Sequence, residues 1–491
     1  AAPGGPSGSA GATGGASPGN AGPGSAGVAA GPTGGAGGAT TQAGATGLGS
    51  TTPGSIGAGP GTGQGTASQP TAGAPVSGQP GAAPATCGSM TSTDQGVSAT
   101  QINIDVDVAN LGGQAGNSLV GLPSAQQEEA TYQAAIDAAN GAGGVRCRKL
   151  VAKYYEVNPL DQSSLEAACL QIVADHPFAL LDEGLSSPAG SPTPRDCPPS
   201  YQVPEFGTQP LSQAEHDRFA PYLFSDGSTA EGVVNDWVFA AHQLGWFVGA
   251  KKIGLLEQDC VPDINHLALS DLAKVGIPLS QTTTFDFGCP NAIPPPNQVE
   301  QAVLQFKTAG VTHVMDDGGV YENYFSKAAK AQDYQPKYSV GDQGTIALWD
   351  NPNFGPDPQN FSGALAITPT QYGAENTPGT AFNSQTSTCD KAMAAKGLPA
   401  AEHSPDGLSG VACVGVDMFV TAADRAPVLR RVDLAAGLQQ AGHLDFSFPI
   451  GPGNFAASHG LHGGGYWRAD TWYTACACFR VSDATFSPSF P

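Results

Sequence analysis

A chain of 491 residues with 42 Asp and Glu against 20 Lys and Arg has a formal net charge of −22. That balance argues against nucleic-acid binding, which needs clustered Lys and Arg, and against adsorption to anionic lipid. No run of 18 apolar residues occurs, so no transmembrane helix is expected.

Residues 1–93 contain no Asp, Glu, Lys or Arg and few large apolar side chains; Gly, Ala, Pro, Ser and Thr dominate. Such a segment cannot bury enough apolar surface to offset its ordering entropy, so an extended tail or spacer is expected. As a flexible coil it would reach roughly 50 Å. Its start, "AAPGG", looks like the remainder of a processed export signal, and a lipid-anchored mature protein would begin with Cys. The expected location is therefore extracellular or cell-surface.

The folded part opens on "QINIDVDVAN", where Ile102, Ile104, Val106 and Val108 alternate with polar residues as in a strand. "AQQEEATYQAAIDAAN" follows as a helix stopped by "GAGG". "KLVAKYYEV" reads as strand, "SSLEAACLQIVAD" as helix and "FALLD" as strand. Residues 198–225, rich in Pro and aromatics, lack a clear helix and read as the passage to a second lobe. There the pattern recurs: "EGVVNDWVFAAHQLGW" helix, "KIGLLEQ" strand, "DINHLALSDLAKVG" helix, "SQTTTFDF" strand, "NQVEQAVLQFKTAG" helix, "THVMDD" strand, "VYENYFSKAAKAQ" helix and "KYSVG" strand. Beyond Gly341, "GALAIT" is a strand, "ACVGVDMFVTAADRAPVLRR" a helix, and "GGGYWRADTWYTACACFRV" a pair of antiparallel strands. Strands alternating with helices specify parallel sheet, because a parallel connection needs a crossover. The expected fold class is α/β: two doubly wound Rossmann-like lobes with a cleft between them. Residues 94–220 would form the first lobe and 221–340 the second, with 341–491 returning to the first lobe and adding the C-terminal strands.

Ten cysteines, none in a C-x-x-C, suit an oxidising compartment and disulfides more than zinc. Proximity suggests Cys147 with Cys169, Cys260 with Cys289, and Cys389 with Cys413. Cys87, Cys197, Cys476 and Cys478 then allow three connectivities.

"VSATQINIDV", "AIDAANGAGGVRCRKLVAKYYEVNP" and "AKVGIPLSQTTTFDF" followed by "LQFKTAGVTHVMDDG" closely resemble type I periplasmic substrate-binding proteins, in the Leu/Ile/Val-binding class of ABC-transporter receptors. The resemblance covers most of residues 96–445. It implies two lobes joined by a three-stranded hinge, closing on a small ligand such as an amino acid or amide, with an ABC permease as partner, no cofactor, no metal and no enzymatic activity. In "DEGLSSPAG", Ser186 and Ser187 match the hydroxyls that hold the ligand's carboxylate, with Asp182 at the strand end. Tyr222 stands where the family places an aromatic, and Asp316 and Asp317 where it places an acid for the ammonium. Asp259 lies where the family often has an Asp-Tyr-Gly turn; here Cys260, Val261 and Pro262 follow it, so the ligand's identity does not transfer.

Other chemistries find less support. Asp182 and Asp316 could face each other as a glycosidase pair, yet no sugar-specific context accompanies them. His459 and His462 are spaced for a metal, but the glycines of "SHGLHGGG" favour a solvated loop. The folded part has no G-x-S-x-G, and "GAGGVR" follows a helix instead of a strand. Trp237 and Trp246 read as core. The alternative function is a structural or surface-assembly protein reusing the fold, in which the tail packs as polyproline-like strands in self-assembly.

Overall fold

The structure, a computed structural model, describes residues 90–490 apart from 121, 160, 183–196, 208–210, 258–261, 289–293, 317–320, 342–345, 347–348, 350–353 and 405–406. The chain runs β1 (Gln101–Ala109), α1 (Gln114–Val120), α2 (Ala125–Gly141), β2 (Lys149–Val157), α3 (Gln162–Asp175), β3 (Ala179–Asp182), the single turn α4 (Cys197–Ser200), β4 (Glu205–Gly207), α5 (Gln213–Phe219) and β5 (Leu223–Ser225). A second run holds α6 (Ala230–Gln243), β6 (Ile253–Glu257), α7 (Pro262–Lys274), β7 (Thr282–Asp286), α8 (Pro296–Ala309), β8 (His313–Asp316), α9 (Tyr321–Ala331), β9 (Lys337–Gly341) and β10 (Leu365–Thr368). Then come α10 (Ser384–Ala394), α11 (Leu408–Arg425), α12 (Leu434–Ala441), the short pair β11 (His443–Leu444) and β12 (Gly453–Asn454), and the hairpin β13 (Tyr466–Tyr473) and β14 (Cys478–Val481).

The strands form two large sheets. The first is wholly parallel in the order β2-β1-β3-β4-β5, and the second carries the parallel order β7-β6-β8-β9-β10, with β13 and β14 added antiparallel at its β10 edge. The five parallel strands of each sheet thus share one topology.

Local chemistry accounts for the helix ends. Ser124 and Gln127 form a capping box at α2, and Ser212 and Glu215 another at α5. That second box sets a helix inside residues 198–225, which composition had assigned to a bare passage. β4 and β5 also lie there, so the first sheet runs on through Ser225.

Both faces of each sheet are covered, as parallel sheets require. In the first lobe, β1 buries Ile102, Ile104, Val106 and Val108 with Tyr132 and Ile136 of α2; its other face meets a cluster of Tyr155, Val157, Leu165, Ile172 and Leu180. Helices α10 and α11 return to this lobe, both packing on α2. In the second lobe, Trp237 and Val238 of α6 pack with Ile253, Leu255, Met315 and Ile367, as their reading as core requires, and Trp246 joins them. Trp237 is fully buried, and its Nε1–H donates to Ser339 Oγ at 3.0 Å. Trp237→Phe is expected to cost about 2 kcal/mol in urea unfolding, because it strands the buried Ser339 hydroxyl. A loss under about 0.5 kcal/mol would show that this bond contributes little.

The cysteine pairing needs one correction. Cys169, in α3, joins Cys197 at the start of α4, with Cα atoms 6.1 Å apart, not Cys147. Cys147 sits before the amino end of β2 and is bridged to a residue outside the described set, whereas α4 packs directly on α3. Cys389 and Cys413 are joined at 2.05 Å, and Cys476 and Cys478 form a third bridge. Cys260 and Cys289 lie outside the described residues. By chain entropy a bridge spanning 24 positions contributes about 3.5 kcal/mol, whereas one spanning 2 contributes about 1.6 kcal/mol. No helix among the described residues is long and apolar enough to cross a membrane.

Candidate functional site

In an open parallel sheet a ligand sits outside the carboxyl ends of the strands, at the point where strand order reverses. In the first sheet that point lies between β1 and β3, and in the second between β6 and β8. The four strands end at Ala109, Asp182, Glu257 and Asp316.

The wall beyond β1 is fixed by three side chains, Asn110, Asn117 and Glu128. Buried Asn117 accepts from the Leu111 N–H at 2.7 Å and donates to the carbonyls of Ala109 at 2.9 Å and Pro123 at 2.6 Å. The Ala109 N–H itself donates to buried Glu128 at 2.7 Å, and the Gly113 N–H to Asn110 at 2.5 Å. On the opposite lobe, Asp316 is fully buried and its Oδ2 accepts from the Glu322 N–H, in the first turn of α9, at 3.2 Å. The register sets Glu257 beside Asp286, and Asp316 one residue away beside Leu256. Three acids therefore share the carboxyl edge of the second sheet.

The sequence candidates divide accordingly. Asp182 closes β3 opposite Gly207 and Asp316 closes β8, so each stands at a reversal point. Ser186, Ser187, Asp259 and Asp317 lie outside the described residues. Tyr222 is misplaced: it precedes β5, its N–H donates to Phe219 O and its carbonyl accepts from Glu205 N–H, the first residue of β4. Its charge neighbour is Arg431, whose guanidinium binds the carbonyls of Pro177 and Gln202 ahead of β3 and β4. That is the amino edge of the sheet, opposite the edge that carries the reversal point.

Three chain crossings join the lobes, at residues 225–229, 369–383 and 446–465. The Ser225 N–H donates to Leu461 O at 3.1 Å and the Gly463 N–H to Ser225 O at 2.8 Å; the Gln371 N–H donates to Pro449 O at 2.5 Å. Glycines make the approach possible: a Cβ at Gly463 would lie 1.9 Å from the Asp226 carbonyl, and one at Gly451 1.9 Å from that of Pro369. Between the crossings is a cavity of about 10 Å³ lined by Asp226, Ser228, Thr370, Ile450, Gly463 and Tyr466, among others. Asp226 is 2% exposed, neither carboxylate oxygen has a partner in another residue, and burial pushes its pKa up to about 8. His462 is half-buried, not a solvated loop residue; its ring centre lies 5.4 Å from that of buried His216, and burial pushes both down to about 4. Sequence reading missed Asp226 and His462 as hinge residues; "SDGS" at a sheet's last strand was the available signal.

No protein-family model and no curated protein matches the chain. Solved structures do. The ABC transporter substrate-binding protein of Desulfitobacterium hafniense in complex with Leu is 13% identical with a TM-score of 0.53, over 79% of this chain and 99% of that one. The fatty acid ABC transporter substrate-binding protein of Thermomonospora curvata is 12% identical with a TM-score of 0.57, over 82% and 95%. A solute-binding protein of R. palustris in complex with 4-hydroxybenzoate is 14% identical with a TM-score of 0.57, over 80% and 98%. At these identities the likeness establishes the fold and leaves the ligand open.

Proposed function

We propose, from the premise that this chain has the two-lobed fold of type I periplasmic binding proteins, that it is an exported, non-enzymatic receptor capturing a small polar ligand between its lobes for an ABC permease. The observation that supports this reading is the shared strand order of the two sheets. It gives each lobe a reversal point, with Asn110 and Asp182 at one and Glu257 and Asp316 at the other. The ligands printed for two of the solved structures named above, Leu and 4-hydroxybenzoate, differ in chemistry, so the fold alone selects none. The acids at the carboxyl edge of the second sheet favour a ligand carrying an ammonium or amide group, such as an amino acid, through charge-assisted hydrogen bonds. Binding shifts the hinge from open to closed by its differential affinity for the closed state.

Calorimetric titration against amino acids, amides and small organic acids tests the reading. A cognate compound at about 100 times its Kd should stabilise the fold by about 2.7 kcal/mol. Absence of heat and of stabilisation across the library, with the fold intact, would remove the receptor assignment.

A further inference from the structure

The Cys476–Cys478 bridge has no structural task that the surrounding hairpin does not already perform. β13 and β14 are paired at Asp470 with Val481, Thr471 with Arg480, Trp472 with Phe479 and Tyr473 with Cys478. The hairpin is also anchored in the core by Trp472 and Phe479, whose ring centres are 5.2 Å apart. The bridge closes the smallest ring of the described disulfides and so constrains the unfolded chain least.

Its chemistry is distinct as well. Cys476 is exposed, whereas Cys169, Cys389, Cys413 and Cys478 are buried and Cys197 is half-buried. Ala477, the residue inside the ring, holds φ +50°, a conformation that side chains other than Gly seldom adopt. Arg480, two residues after Cys478 on the same strand, shares its face. Its guanidinium carbon lies 5.1 Å from the ring centre of Tyr473, the cross-strand partner of Cys478. Arg480 Nε is buried and has no acceptor. A cationic side chain therefore lies on the face of the hairpin that carries Cys478, against the ring of its cross-strand partner.

We propose that Cys476–Cys478 is a thiol-exchange site for a low-molecular-weight thiol. The thiolate attacks Sγ of exposed Cys476, a new S–S bond forms there, the Cys476–Cys478 bond breaks, and its electron pair leaves on Cys478 Sγ, on the face that Arg480 shares. A second thiol then attacks the mixed disulfide, releasing the oxidised thiol dimer and leaving Cys476 and Cys478 reduced. Two thiols are oxidised for one protein disulfide reduced, and their protons pass to the two protein sulfurs.

The test is graded reduction of the folded protein with dithiothreitol, which brings no charge to a protein of net charge −22 beyond that of its attacking thiolate, followed by alkylation and peptide mapping. Cys476 and Cys478 should be labelled at a reductant concentration about tenfold or more below that opening Cys389–Cys413 or Cys169–Cys197. Near-ultraviolet circular dichroism should not change at that point. Arg480→Gln should slow the opening about threefold or more at an unchanged melting temperature, and Arg480→Lys should restore most of the rate. A Cys476→Ala/Cys478→Ala variant should lose the early labelling and keep the fold. Labelling of Cys476 and Cys478 only together with the buried bridges, or only on unfolding, would overturn the proposal. An Arg480→Gln variant that opens at the wild-type rate would overturn the role of Arg480.

Discussion

Gly410→Ala is expected to cost about 3 kcal/mol or more, at the upper end of overpacking losses, in urea unfolding followed by tryptophan fluorescence. A Cβ at this position in the first turn of α11 would lie 1.4 Å from the Phe448 carbonyl oxygen and 2.5 Å from its carbon. The obstacle is backbone, and that backbone is held from several sides. Ser447 Oγ donates to Gly410 O at 3.1 Å and the Phe448 N–H donates to Thr386 Oγ1 at 2.9 Å. The Phe448 ring packs edge-on against Tyr372 and Phe382, at 5.5 and 5.4 Å. α11 cannot retreat either, because Phe419 packs against Phe178 and Phe206 across the first sheet. Gly415, one turn on, is the control: a Cβ there meets only Tyr132 Cε1, at 3.9 Å. Gly415→Ala should be neutral or stabilise by up to about 1 kcal/mol through helix propensity. Equal effects at the two glycines would show that the third crossing is free to move.

The close approach at Gly410 illustrates what sequence conceals. α2, α3 and the strands around Val106 and Leu255 were legible because their apolar periods and stop signals are local. Strand ends follow from that order, so Asp182 and Asp316 were placed at the carboxyl edges. β4 and β5 have three residues each, too few to show a period, and the missed β5 is why Tyr222 was assigned to the wrong edge. Cys147 and Cys169 are near in sequence, but nine-residue β2 intervenes and α4 folds back onto α3. The hinge was hidden for a further reason. Gly451 and Gly463 are needed by backbone partners some 80 and 240 positions away, and a Gly-rich segment reads the same whether it faces solvent or another chain segment.

The crossings also set an expected pH profile: stability should be nearly level up to about pH 6.5 and fall by about 3 kcal/mol by pH 8.5. Asp226, raised to about 8 from 3.8 by burial, keeps in the folded state a proton that the unfolded chain loses above about pH 4. Its contribution to stability therefore declines as pH rises through that window and is constant above it. Asp105, raised to about 7 by burial and by Asp175, acts in the same direction. Histidines act oppositely. His216 and His462, lowered to about 4 from 6.5, stay neutral in the folded state where the unfolded chain binds protons. They add stability as pH rises from about 4 to 6.5 and nothing beyond. Below pH 6.5 the two sets offset each other; above it only the carboxylates remain. Asp226→Asn keeps the shape and removes the charge, so it should flatten most of the alkaline limb and, with two histidines then facing Asp105 alone, let stability rise with pH between about 4 and 6.5. An alkaline limb unchanged in Asp226→Asn would mean that this carboxylate is solvated in solution and that the crossings are less closely joined than their glycines allow.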